Sequence, residues 1–328
     1  QQGIAASDEE ILIVSGSQQG IDLVARTLIN PDDTVLTEDP TYFWAICTFA
    51  ANGARCVPVS TAPDGVRLDV FENVASRVEA KLFYTMPSFH NPTGSTLSVE
   101  RRQKLLQLAR EHQVPILEDN FVGDLCYTTP LPSLKTLDGQ AGTVIYQGTF
   151  SKALCPGMRV GWLVAAPDVM ARLRLVKRTC DLSTNTLSQL ILAEYLRRGL
   201  YQEHLQLVQN AYRKRLDVMC LALQEHTRQW LSFDRPQGGM FIWAKLPPGY
   251  SARELLSFAQ REGVIYSPGD VFFISSGNSE YMRLNFIQQN AEQIDEGIRR
   301  LGKALQAYSN SRKRVAHPAY VVAESTFI

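Results

Sequence analysis

The sequence predicts an α/β protein, a mostly parallel mixed sheet sandwiched by helices and followed by a smaller C-terminal α+β domain. Three observations lead there. Short β-rich runs alternate with stretches of helical periodicity over the first half of the chain, the pattern of parallel strands joined by crossover helices. From Pro167 to about Trp230 the pattern turns largely helical, and beyond it strands and helices follow in a different order. The 328 residues, 45% of them hydrophobic and 9% aromatic, suffice to bury one large core or two cooperating ones.

Taken in order, ILIVSG at 11–16 reads as a strand, followed by a helix near 18–29, TVLTE at 34–38, a helix near 42–52 and ARCVPV at 54–59. The alternation continues through KLFYTMP at 81–87, a helix over 99–112, VPILED at 114–119, TVIYQGT at 143–149 and VGWLVAA at 160–166. Helices are expected on both faces of this sheet. FIWAKL, a helix near 251–262, GVIY, YMRLNF and a closing helix near 291–307 make the smaller domain. The expected boundaries are 1–228 for the large domain, 229–308 for the small one and 309–328 for a tail whose SRKR cluster reads as a solvated terminus. The opening QQGIAASDEE lacks an initiator Met and reaches its first strand almost at once, so an N-terminal part is expected to be missing.

Composition excludes several classes. Thirty-three basic residues balance thirty-three acidic ones, so no global positive field draws nucleic acid or an anionic membrane. No apolar run reaches the ~18 residues of a membrane span, and the start lacks a charged-then-apolar leader, which points to a cytoplasmic protein. Cys47, Cys56, Cys126, Cys155, Cys180 and Cys220 show neither CxxC nor Cys/His spacing, so no metal site or disulfide framework is indicated.

Loops after the carboxyl ends of parallel strands are where α/β proteins place ligands, and five of them carry distinctive residues. SGSQQG at 15–20 leaves a strand and opens a helix whose free N–H groups could hold an anion, although a Ser there can equally be only an N-cap. EDPTYFW puts Tyr42 after a Pro turn, as core or as a stacking platform. MPSFHNPTG at 86–94 ends a strand in two prolines and an Asn, with a cis bond expected at Pro87 or Pro92. PILEDN brings Glu118 and Asp119 to a buried strand end, where a carboxylate requires a cationic partner, an Arg of the protein included. QGTFSKALCPGMRVGW at 147–162 sets Thr149, Ser151, Lys152 and Arg159 between two buried strands, and a buried lysine there would have a depressed pKa and be nucleophilic.

In that order and spacing, SGSQQG, Tyr42, NPTG at 91–94, Asp119, TFSKALCPGMRVGW and RLNF at 283–286 resemble the fold type I, pyridoxal 5′-phosphate-dependent aminotransferases of class I/II over nearly the whole chain. The nearest subgroup resembles the kynurenine and 2-aminoadipate aminotransferases, together with the aminotransferase-like effector domains of GntR-type transcription regulators, the MocR type. The resemblance implies that Lys152 forms the Schiff base with the cofactor aldehyde and later shuttles the substrate Cα proton. Asp119 would keep the pyridine nitrogen protonated, Asn91 would donate to the ring oxygen O3′, and Tyr42 would stack on the ring. Ser17, Gln18, Thr149, Ser151 and Arg159 would hold the phosphate, and Arg283 of the small domain the substrate α-carboxylate, with Asn91 beside it. A homodimer with its site near the interface, a small-molecule amino acid and a 2-oxo acid as reactants, and no membrane partner are implied too.

Two departures stand out. Relatives carry a Tyr two or three residues after the ring-nitrogen Asp, where this chain has Phe121 and Val122, so a hydroxyl supporting O3′ is absent or comes from Tyr84 or Tyr127. The N-terminal segment that covers the substrate in relatives is also absent. The expected activity is transamination from an L-amino acid to a 2-oxo acid such as 2-oxoglutarate. The alternatives are a regulator's effector domain, with nucleic acid as a partner only if a DNA-binding domain precedes Gln1, and other chemistry of the same cofactor, such as racemisation, elimination or condensation.

Overall fold

The computed structural model describes residues 3–275 and 277–316. Its large sheet contains β1 (Ile11–Val14), β2 (Thr34–Asp39), β3 (Arg55–Ala62), β4 (Gly65–Val66), β5 (Ala80–Thr85), β6 (Ile116–Asn120), β7 (Val144–Thr149) and β8 (Gly161–Val164), in the spatial order β1-β8-β7-β6-β5-β2-β3-β4. Strands β3, β2, β5, β6 and β7 pair in parallel, whereas β8 is antiparallel to both β7 and β1, and β4 is antiparallel to β3. The sheet is therefore mixed and mostly parallel. Every residue of β2 and β7 is buried, as central strands covered on both faces must be.

Helices α1 (Ser17–Leu28), α2 (Phe43–Ala51) and α6 (Pro167–Asp181) cover one face, packing Ile21, Val24, Phe49 and Leu173 with Val35, Leu82 and Leu163. On the other face, α3 (Leu68–Ala75), α4 (Val99–Glu111) and α5 (Leu134–Asp138) set Phe71, Leu105 and Leu134 against Leu36, Phe83 and Ile116. Helix α4 starts where Ser98 accepts a hydrogen bond from the Arg101 N–H at 3.3 Å, an N-cap, and Leu105, Leu108 and Ala109 then share its inner face. The sequence periodicity does not announce α3 or α5. Helix α3 buries one i,i+4 pair, Phe71 and Ala75, and α5 is 5 residues long, too short for a period to show.

After α7 (Thr186–Arg197), the long α8 (Leu200–Thr227) serves two cores. Tyr201 and Leu205 pack with Val122 and Leu125 under the loop after β6, while Leu216 and Leu223 join the core of the second sheet. That sheet, in the order β11-β12-β10-β9, is antiparallel: β9 (Ser232–Phe233), β10 (Phe241–Lys245), β11 (Ser267–Pro268) and β12 (Tyr281–Asn285), covered by α9 (Ala252–Arg261) and α10 (Ala291–Ala316). Two expectations are corrected here. GVIY is not a strand, because Gly263 turns the chain at φ 74° and Ile265 is 79% exposed, so pairing begins only at Ser267. Helix α10 also runs past the expected start of a tail at Ser309. Arg312 of the SRKR cluster donates to the Tyr308 hydroxyl at 3.1 Å, lies 3.6 Å from Glu254 and covers the Tyr250 ring, which extends the helix onto α9; residues 317–328 lie outside the described residues. Among the described residues no helix is long and apolar enough to cross a membrane.

Candidate active site

The carboxyl ends of β1, β6 and β7 open on one cleft. From β1 the chain turns at Ser15 and Gly16 into α1. Gly16 has φ 83° and is the N-cap, and a Cβ on it would stand 2.3 Å from the Arg159 guanidinium, so only glycine allows this approach. Ser17 is the first helical residue, so neither serine of SGSQQG is the N-cap, which corrects that alternative. Arg159, itself left-handed at φ 52°, donates to the Ser15 carbonyl at 3.3 Å and to Ser151 Oγ at 3.4 Å. The Ser151 N–H donates to Thr149 Oγ1 at 3.2 Å, and both residues are buried. Free N–H groups at the start of α1, the Thr149 and Ser151 hydroxyls and a guanidinium are thus brought together as an anion cup. The Gln18 carboxamide turns elsewhere: it donates to Thr48 Oγ1 at 2.7 Å and accepts from the Tyr42 hydroxyl at 3.4 Å, so Gln18 offers the cup its backbone N–H.

Asp119, 3% exposed at the end of β6, accepts a 2.7 Å hydrogen bond from the Tyr84 hydroxyl on Oδ2, while Oδ1 is buried with no hydrogen-bond partner. Burial pushes this carboxyl above its usual range, against the opposing pull of Gln147, Tyr84 and Lys152, although the Gln147 amide stands outside hydrogen-bond geometry. A lone buried carboxylate oxygen is costly unless a donor comes to it, and the N–H of a protonated pyridine ring is such a donor. Together with the anion cup, this fits pyridoxal 5′-phosphate. Half-buried Tyr42, just before α2, has its hydroxyl pushed up by burial and by the charge of Asp119.

Lys152 is exposed rather than buried, since it sits in the turn after β7 at the cleft rim. Its ammonium pKa is pushed down by desolvation and by Arg159 and Arg283, with Asp119 opposing.

The opposite wall comes from the small sheet. Arg283 on β12 donates to Asn91 Oδ1 at 2.7 Å and to Ser267 Oγ at 3.2 Å, and its guanidinium lies 4.0 Å from the Phe241 ring centroid and 4.7 Å from that of Phe272. Burial lowers its pKa to about 10, still fully protonated at neutral pH. Asn91 is buried and leaves its Nδ2 to donate. Of the two bonds expected as cis, Asn91–Pro92 is cis and Met86–Pro87 is not; Asp39–Pro40 is a further cis bond.

Sequence reasoning missed the supports. Glu38 accepts the Met86 N–H at 2.9 Å and meets His90 at 3.2 Å, a buried pair that fixes the NPTG turn. Asp39 accepts from the Ile274 N–H at 2.7 Å and from the Ser275 hydroxyl, and the Thr41 N–H donates to the Phe272 carbonyl, so the small sheet is tied beside Tyr42. Glu118 finds its partner not in an Arg side chain but in the start of α5, accepting the Leu134 and Lys135 N–H groups at 2.8 and 2.9 Å, while burial raises it to about 7.

Comparison with known proteins agrees with this geometry. The profile of the family described as aminotransferase class I and II matches residues 1–301. The aromatic-amino-acid aminotransferase 1 of Thermococcus litoralis is 39% identical over 308 residues, covering 92% of this chain and 74% of that protein. The solved α-aminoadipate aminotransferase of Thermus thermophilus, complexed with N-(5′-phosphopyridoxyl)-L-leucine, superposes with a TM-score of 0.89 at 38% identity, covering 92% of this chain and 78% of that one. An uncharacterized HTH-type transcriptional regulator of Bacillus subtilis is 32% identical, with 92% of this chain matched to 62% of that protein. The chain belongs to the aminotransferase class I and II family, as an enzyme that takes pyridoxal 5′-phosphate as its cofactor.

Proposed function

We propose that the chain is a transaminase that moves the amino group of an L-amino acid to a 2-oxo acid, with 2-oxoglutarate the expected acceptor. The observation that carries this is the make-up of one cleft: Lys152 in the turn after β7, Asp119 with its unpartnered Oδ1 at the end of β6, an anion cup around Arg159 and a second guanidinium on Arg283. When bound, the cofactor supplies an aldehyde carbon that exchanges amines and a protonated ring that takes up the electrons of the broken Cα–H bond. Asp119 Oδ1 would accept the ring N–H, and Asn91 Nδ2 would donate to the ring oxygen. Lys152, its pKa lowered, would hold a neutral Nζ more readily and would take up and return the proton released at substrate Cα. Arg283 grips the α-carboxylate in a two-pronged bond. Because Arg283 rides on the small sheet, substrate is expected to draw residues 229–308 over the cleft.

Lys152→Ala tests the reading: turnover should fall by orders of magnitude while the cup still binds pyridoxamine 5′-phosphate. Turnover near the wild-type rate would overturn it. The regulator relatives favour a second reading, an effector domain that senses the cofactor or its amino acid adduct. A panel of amino acids in single-turnover absorbance experiments separates the two, because only transamination releases a free 2-oxo acid. We place the protein in the cytoplasm as a homodimer; Trp44 (58%), Leu182 (82%), Leu187 (67%) and Leu190 (64%) are exposed apolar side chains of the kind a second copy would cover. A fully active monomer in sedimentation would contradict the dimer.

A further inference from the structure

A charge pair whose ammonium is buried and whose carboxylate is partly exposed lies behind the anion cup and takes no part in the chemistry above. Lys177 on α6 is 5% exposed, and its ammonium sits 2.6 Å from Asp181 one turn on. A buried lysine costs several kcal/mol unless its partners are well placed, and a mere helix-stabilising i,i+4 pair belongs on an exposed face. This pair instead reaches across to the turn between β1 and α1. Asp181 Oδ2 accepts from Gln19 Nε2 at 2.8 Å and from Ser15 Oγ at 3.1 Å, and Lys177 also approaches Gln19 Oε1 at 3.4 Å. Gln19 Oε1 in turn accepts the Ser15 N–H at 2.7 Å. Thr184, just past α6, closes the ring of contacts, 3.4 Å from Ser15 Oγ and 3.3 Å from the Ile13 carbonyl.

Ser15 is the point where this network meets the cup. Its N–H and hydroxyl are held from behind, and its carbonyl receives Arg159 Nη2 in front. The next residue, Gly16, has no Cβ to limit its motion, so the turn that aims the α1 N–H groups has little stiffness of its own. We propose that Lys177, Asp181 and Gln19 form a brace that holds the Ser15–Gly16 turn, and with it Arg159 and the start of α1, in the geometry that binds the cofactor phosphate. They are positioning residues: none touches the phosphate, and their contribution is selectivity for the phosphorylated over the unphosphorylated cofactor. The inference rests on the reading of the cup as the phosphate site.

The experiment measures affinity of the cofactor-free protein for pyridoxamine 5′-phosphate and for pyridoxamine by titration calorimetry. Wild type should prefer the phosphorylated form strongly. Asp181→Ala should weaken pyridoxamine 5′-phosphate at least tenfold and leave pyridoxamine within twofold. Because Asp181→Ala strands a buried ammonium and could unfold the protein, the double variant Lys177→Met/Asp181→Leu, which leaves no unpaired charge, should show the same selective loss. Equal loss for both ligands in the folded double variant, or no loss for either, would overturn the brace. Wild type binding both ligands alike would instead overturn the phosphate cup, and the brace with it.

Discussion

The two ends of the cleft are built differently. At the cofactor end, Ser17, Thr149, Ser151 and Arg159 belong to the carboxyl edge of one sheet, and hydrogen bonds from behind, through Ser15 and Gln19, hold that edge. At the substrate end, Arg283 comes from the second sheet and meets Asn91 across 192 residues of sequence, held by two hydrogen bonds and two aromatic faces. One end is a rigid socket of backbone and short side chains; the other is a single long side chain at a joint tied by Asp39. The difference teaches that cofactor and substrate affinity should respond to separate lesions.

The sharpest break of that separation is Arg283→Lys. A lysine cannot reproduce the two-pronged grip, so kcat/KM for amino acid should fall at least ~100-fold, about 3 kcal/mol, while the affinity for pyridoxamine 5′-phosphate stays within about twofold. Steady-state kinetics beside the binding titration checks both halves. A parallel loss of cofactor affinity would show that the two ends act as one unit.

Legibility in the sequence follows the same division. The socket shows because its residues follow strand ends at short fixed spacings, as Ser17 follows ILIV and Lys152 follows TVIYQGT. What stayed hidden is pairing between distant faces. Lys177 and Asp181, i and i+4 on a helix, look on paper like any solvated pair, and only the packing of α6 on α1 buries the Lys177 side chain and brings Asp181 onto Gln19. Glu118 and Asp119 are neighbours with the same side-chain chemistry, and their opposite fates follow from the pleat of β6, which sends one to the start of α5 and the other to Tyr84. The strand β8 read correctly as a strand, but its reversed direction was unreadable because apolar runs carry no sign of orientation.

A milder lesion probes the ring slot between the two ends. Tyr84→Phe leaves Asp119 Oδ2 buried without its donor. A hydrogen bond to the charged form lowers a carboxyl pKa, so its loss should raise that of Asp119 and weaken its hold on the ring N–H. We expect kcat to fall about tenfold, roughly 1.4 kcal/mol, with KM for amino acid little changed, since Arg283 is untouched. A rise in KM without a fall in kcat would assign Tyr84 to substrate positioning instead.

The smallest effect tests a position where socket and joint meet. Phe121 is half-buried and packs with the cores on both sides of the loop after β6, and Val122, the other place where relatives carry a Tyr, is 3% exposed. The two hydroxyls that could stand in are committed, Tyr84 to Asp119 and Tyr127 to the Gly239 carbonyl at 2.6 Å, and each hydroxyl has one proton to give. On the proposed reading the ring oxygen O3′ would therefore rely on Asn91 Nδ2 as its donor from this set. When the nitrogen beside O3′ loses its proton, negative charge is left on that oxygen, and a further donor would favour this deprotonated form. Phe121→Tyr should thus lower the pH at which the bound cofactor's visible absorbance titrates, by up to about one unit, the worth of a single modest hydrogen bond. A spectrophotometric pH titration of the variant beside wild type reads the shift directly. If the variant titrates at the same or a higher pH, no hydroxyl was missing at O3′, and Phe121 serves this loop only as packing.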